Sequence, residues 1–206
     1  SGQLARAWAW PVDRPEAAAL AAEQHDVGMA EHDLAPLHDP ATGLPVPFTA
    51  LPRAVHLELW SAAPAKVLSQ SAYGALGVSL HGSGLYERRA LDGPAVAEFV
   101  AGQRALQEEL GTLCGAGRQE RERLRALLAL WDAISLSLLL GWELAPLPVP
   151  GPYGSPATIA LRDDGVLDPW PLRGDELEVA CEGRRLDTPA PDAAALHAAL
   201  AAAPRV

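Results

Sequence analysis

Only two cysteines, Cys114 and Cys181, occur in this chain of 206 residues, far apart and with no CxxC between them. That excludes a disulfide framework and a cysteine-ligated structural zinc, and it makes a reducing compartment, the cytoplasm, the expected setting. Lysine is scarcer still: Lys66 stands alone against fifteen arginines, a bias that reads as genome composition. There is no basic block, and the formal net charge is -10, so nonspecific binding to nucleic acid or an anionic membrane is excluded and the charge serves solubility. No secretory signal opens the sequence. No long apolar run is free of charge either. The nearest to one, Ala126 to Trp142, holds Asp132 near its middle and follows the charged run Gln119-Glu120-Arg121-Glu122-Arg123, which argues against a membrane span.

What is present is mostly helical pattern. At this length a compact chain buries roughly 70% of the surface its unfolded form exposes, enough for an interior site. Gln3 to Trp8 reads as a helix end, and Pro15 at a first-turn position opens a helix over Glu16 to Ala30. Asp39-Pro40, Thr42-Gly43 and further prolines mark Leu34 to Pro52 as a long surface loop of the kind that borders sites. Helices are predicted over Arg53 to Tyr73, Leu76 to Glu87, Pro94 to Leu113 and Glu120 to Trp142. From Pro146 to Pro156 the composition turns to Pro, Gly and Ser. Short β-prone runs follow at Ala157 to Leu161 and Leu177 to Cys181, with a turn at Asp164-Gly165 and a last helix from Asp192 to Ala203 behind an acidic cap. The expected organisation is a helical body over 1–146 and a small β-strand plus helix extension over 147–206, packed on the body because sixty residues make a poor independent domain.

Asp132 carries the functional argument. A buried carboxylate costs several kcal/mol unless a cation or donors meet it. The chain offers His25-Asp26 far upstream, with His56 and His81 between. On a helix the adjacent His25 and Asp26 point about 100° apart and can turn toward one ion. Imidazole and carboxylate together suit Fe, Mn, Zn or Ni, as one ion or two. His81, in Ser79-Leu80-His81-Gly82-Ser83-Gly84, is flanked by small residues that leave room for a ligand, and His56 begins the preceding helix as a weaker candidate. A metal there lowers the pKa of a bound water and polarises a phosphoryl oxygen, which makes hydrolysis of a small phosphorylated molecule the natural reaction class. Arg53, Arg88 and Arg89 are cations for a phosphate, or plain solvated surface. His32, Asp33, His38 and Asp39 read as loop and helix-end residues near the mouth of the site. The six tryptophans read as packing, and Asp168-Pro169-Trp170-Pro171 as a rigid turn with an aromatic anchor.

His25-Asp26-Val27-Gly28, followed far downstream by Trp131-Asp132-Ala133-Ile134-Ser135, resembles the HD superfamily of metal-dependent phosphohydrolases. Together with Met29, Ala35-Pro36-Leu37, Ser79-Leu80-His81-Gly82 and Asp168-Pro169-Trp170-Pro171, these segments are also similar to the uncharacterised bacterial domain-of-unknown-function family 3891, over nearly the whole chain. The superfamily resemblance implies a mainly α, HD-domain-like helical bundle with His25, Asp26 and Asp132 as metal ligands. It also implies that Asp26 bridges ions or orients a water, and that intervening histidines hold a second ion. Two departures stand out. The first histidine of that pattern does not precede His25, which leaves it to residues upstream of Ser1. Met29 stands where many active members place a lysine. The expected activity is hydrolysis of a phosphate mono- or diester by a metal-activated water; the alternative is a noncatalytic module of the same fold that binds a nucleotide or a protein partner. A homodimer formed through an added strand is compatible with both.

Overall fold

The computed structural model describes residues 1–90, 92–152 and 155–204. It is mainly helical, with helices α1 (Gly2–Ala7), α2 (Pro15–Gln24), α3 (Ala30–Leu34), α4 (Arg53–Leu68), α5 (Ala72–Arg88), α6 (Pro94–Cys114), α7 (Arg118–Leu140) and α8 (Ala193–Ala202). Four short strands, β1 (Pro148–Pro150), β2 (Pro156–Thr158), β3 (Ala160–Leu161) and β4 (Leu167–Asp168), lie in the extension. None of these helices is long and apolar enough to cross a membrane.

Helix α5 is the axis of the body. Thirteen of its 17 residues are buried, and it packs against α2, α4, α6 and α7. A helix buried on every side needs small residues where neighbours approach and partners for its polar ones. Both needs are met. Ser79 Oγ donates to Gln103 Oε1 at 2.7 Å, while Gln107 Nε2 donates to Ser83 Oγ at 3.0 Å and to Ser79 Oγ at 3.2 Å. A Cβ on Gly82 would lie 2.8 Å from Trp60 Cε3, so this glycine admits the indole of α4. The small residues around His81 therefore serve helix packing, which corrects the expectation that they leave room for a ligand.

The predicted helix over Arg53 to Tyr73 is cut at Leu68. Ser71 caps the next helix, its Oγ accepting from the Gly74 amide at 3.0 Å, and so α5 begins at Ala72 rather than Leu76. Gly141, with φ 68, ends α7 at Leu140, two residues short of the expected Trp142, in the left-handed conformation that glycine adopts without penalty. The helix predicted over Glu16 to Ala30 also breaks. It stops at Gln24, and residues Val27–Met29 form a single 3₁₀ turn. A Cβ on Gly28 would sit 2.6 Å from the Leu59 carbonyl oxygen, which shows how closely this turn lies on α4. Lys66 tethers it, donating to the Val27 carbonyl at 3.3 Å and pairing with Glu31.

In the extension, the run Ala157 to Leu161 divides around buried Ile159 into two strands with different partners. β2 pairs antiparallel with β1, and β3 with β4. The Asp164-Gly165 turn closes the second hairpin, Asp164 Oδ1 accepting from the Val166 amide at 3.2 Å. Leu177 to Cys181 is not a strand, because the side-chain amide of Gln3 takes both backbone groups of Ala180. β1 escaped sequence reading, since two of its three residues are proline. Val149, Ile159, Leu167 and Leu172 join the core cluster of the body. Past the Trp170 turn, backbone bonds Ala9 N to Pro171 O and Arg173 N to Ala7 O, both 2.8 Å, flank a bridge between Trp8 and Leu172. Helix α8 and the segment before it brace the long loop: His38 Nε2 lies 2.9 Å from the Ala190 carbonyl and His197 Nε2 lies 2.9 Å from that of Pro36. Asp192 caps α8 through the Ala195 amide at 2.8 Å.

Because the Gly28 contact is with backbone that cannot swing aside, Gly28→Ala is expected to lower stability by about 1–3 kcal/mol. Gly102→Ala, on the open face of α6 with nothing within 4 Å of the added carbon, is expected to raise it by up to about 1 kcal/mol. Urea unfolding midpoints at constant m-value check both.

Candidate metal centre

His25 lies at the broken end of α2, as its C-cap, with φ -56 and ψ -34. Its Nδ1 is 2.8 Å from the Ala22 carbonyl oxygen, one of the acceptors that a helix end leaves unpaired. A carbonyl only accepts, so Nδ1 carries a proton and Nε2 is the atom turned to the site. Nε2 is buried without a hydrogen bond of good geometry. It lies 3.1 Å from Asp26 Oδ2 and 3.4 Å from Asp132 Oδ1. A lone pair facing two carboxylates is repelled by both, so the arrangement is stable only with a cation at Nε2, either a proton or a metal ion.

Asp26 follows in the sparsely populated bridge region, φ -98 and ψ 12, with its carboxylate more than half exposed. His81 comes from the middle of α5. Its Nε2 is 3.9 Å from Asp132 Oδ2, its Nδ1 is buried without a partner, and its ring meets that of His25 edge to face at 4.7 Å. His25, Asp26 and His81 each offer one ligand atom within 4.8 Å of one another. Asp132, on α7 and buried, touches both histidines. Three of the five sequence-derived candidates thus offer ligand atoms to one point, with Asp132 beside both histidines, and such imidazole and carboxylate donors suit a divalent ion of the Zn, Fe or Mn type.

Two opposite charge states complete the electrostatics. Burial opposes a charge on His25, but Asp132 and Asp26 outweigh it and raise the imidazole to about 10. Burial, followed by the neighbouring His25, lowers His81 to about 3. The metal-free cluster is therefore one imidazolium held by two carboxylates beside a neutral imidazole.

His56 stands apart from the cluster. Its Nε2 accepts from the Trp60 indole at 2.9 Å, and its Nδ1 bonds the Tyr86 hydroxyl. With both nitrogens engaged it is not available as a ligand, which corrects the sequence assignment; its place on α4 was right and its partners were not visible. Beside the cluster a cavity of about 380 Å³ is lined by Asp26, His81 and Asp132, by Met29 and Asp33, and by Arg53, Trp60, Tyr86 and Arg89. Of the three arginines weighed from sequence, Arg88 does not line it. Asp33, read as a helix-end residue, does, and burial holds its carboxyl above the usual range. Trp60 and Tyr86 were missed as site residues, because helical spacing marks them only as core.

The charge of His25 has a signed consequence. A group raised from 6.5 to about 10 adds stability that is complete below the unfolded value and is lost as pH rises through the folded one. Chelator-treated protein is therefore expected to lose stability between pH 7 and 10, and Asp132→Asn to lose less over that window, as read from urea midpoints. Metal must displace the same proton, so zinc affinity is expected to rise by close to tenfold per pH unit across the lower part of the window.

Comparison with the curated proteins and with the solved structures finds no match. The family model described as protein of unknown function, DUF3891, matches residues 1–188, and the chain belongs to that family.

Proposed function

We propose that the chain is a divalent-metal-dependent phosphohydrolase on an HD-like helical scaffold, acting on a small phosphate mono- or diester. The observation that carries this reading is the buried, tautomer-fixed Nε2 of His25 facing Asp26 and Asp132 with no hydrogen bond of its own. Ligating histidines ordinarily have their second nitrogen tied to a backbone carbonyl or carboxylate in this way. His25, Asp26, His81 and Asp132 would hold the ion. Bound there, it supplies a water of lowered pKa and polarises a phosphoryl oxygen.

The rest is the work of the chain. Asp26, the most exposed of the four and open to the cavity, orients the attacking water and takes its proton. Arg89, whose guanidinium makes no hydrogen bond or ion pair among the described residues, and Arg53, with one nitrogen on the Asp92 carbonyl at 3.2 Å, reach phosphoryl oxygens. They supply the positive charge that Met29 does not. Leu51, Leu85 and Leu136 form an apolar part of the same wall, beside which those charge contacts are stronger than in open solvent.

One observation favours a noncatalytic module instead: a protonated His25 lies against both carboxylates and offsets part of their charge without metal. Plasma mass spectrometry on protein purified without added metal, followed by p-nitrophenyl phosphate and bis-p-nitrophenyl phosphate assays with Mn, Fe or Zn, separates the two. The expected result is near-stoichiometric metal and ester hydrolysis, both lost in Asp132→Ala, with Asp26→Asn losing more turnover than metal. A well-folded chain that takes up no metal on reconstitution overturns the proposal in favour of the module.

A further inference from the structure

The chain of bonds from Trp60 through His56 to Tyr86 has a direction. An indole nitrogen only donates, so the 2.9 Å bond from Trp60 Nε1 makes His56 Nε2 an acceptor. A neutral ring that accepts at Nε2 carries its proton at Nδ1, and that proton is given to the Tyr86 hydroxyl oxygen. The phenol oxygen is thereby used as an acceptor, and its own hydrogen has no acceptor among the described residues. Tyr86 lines the same cavity as His81, Asp132, Arg53 and Arg89, and both arginines act electrostatically on its hydroxyl. Burial, and after it the charge of Arg89, hold His56 below the ordinary imidazole range, in keeping with the neutral ring.

We propose that Tyr86 is a directed hydrogen-bond donor which, with Arg53 and Arg89, forms an oxyanion subsite for a phosphoryl group, and that His56 and Trp60 are positioning residues that fix its polarity. The inference deepens the phosphohydrolase reading by locating where the substrate's anionic end rests, but the subsite is built without metal and stands or falls separately. Its chemistry is that of an uncharged O–H beside two guanidinium groups, which suits a tetrahedral anion with several acceptor oxygens.

The test uses the full chain stripped with chelator, so that no ion contributes, and inorganic phosphate as the probe in calorimetric titration. Saturable binding is expected in the wild type, weaker by about tenfold or more in Tyr86→Phe and in Arg89→Gln, and unchanged in Gly102→Ala, on the open face of α6. Thermal unfolding confirms that each variant is folded. In a chain labelled with ¹⁵N-histidine, His56 is expected to show a protonated Nδ1 and a bare Nε2 near neutral pH, and Trp60→Phe to release that preference and weaken phosphate binding. Phosphate binding unchanged by Tyr86→Phe, no saturable phosphate binding by the stripped wild type, or a His56 protonated at Nε2 would each overturn the subsite. Loss of metal binding in the separate assay would leave it standing.

Discussion

One hydrogen bond, from His25 Nδ1 to the Ala22 carbonyl at 2.8 Å, orders the site. Helix ends leave carbonyls without partners, and a ring that satisfies one of them has its far nitrogen aimed along a fixed direction. Here that direction leads to Asp26 and Asp132. Had α2 continued to Ala30, Nδ1 would lose that acceptor and Nε2 its bearing. The break depends in turn on Gly28, whose bare backbone rests on α4 against the Leu59 carbonyl, and on Lys66, which binds the carbonyl of Val27. The only lysine of the chain serves this tether.

Charge is distributed along the cavity in a way that matches the proposed chemistry. Carboxylates of Asp26, Asp33 and Asp132 line it with His81, and Arg53 and Arg89 line the same cavity with Tyr86 and Trp60. The acidic part invites a cation and the basic part an anion. Within the protein the proton on His25 and the neighbouring charges of the Ser1 amino group and Arg88 offset the carboxylates only in part. A bound ion and a phosphoryl group would neutralise both together, which is the sense in which the metal and anion proposals support one another while resting on different atoms.

Much of the site could be read from residue order. Asp132 is conspicuous because it is the sole charge in an apolar helix, and His25-Asp26 because an adjacent pair of ligand types is the simplest chelating unit. His81 follows as a lone imidazole in a helix of small residues. What sequence could not supply was the break after Gln24, since the Ala-rich run before it continues a good helix and only the tertiary approach of Gly28 to α4 stops it. His56 went astray for a related reason: a histidine four residues before a tryptophan says nothing of the 2.9 Å bond between them, nor of Tyr86 thirty residues on. The helical body was legible from periodicity and caps. In the extension the β-prone run Ala157 to Leu161 and the Asp164-Gly165 turn were legible too; β1 was not, because two of its three residues are proline, and Leu177 to Cys181 was misread because Gln3, from the other end of the chain, takes the backbone groups of Ala180 that a strand would use.

His25 Nε2 is the atom on which the proposed metal site turns. Anomalous diffraction from crystals of the chain grown with manganese or zinc reads this atom by atom. The account predicts a peak within about 2.0–2.2 Å of His25 Nε2, with Asp132 and His81 in the same coordination sphere. Peaks confined to surface carboxylates or to Cys181, with His25 still seated between Asp26 and Asp132 as a proton-bearing pair, would contradict it.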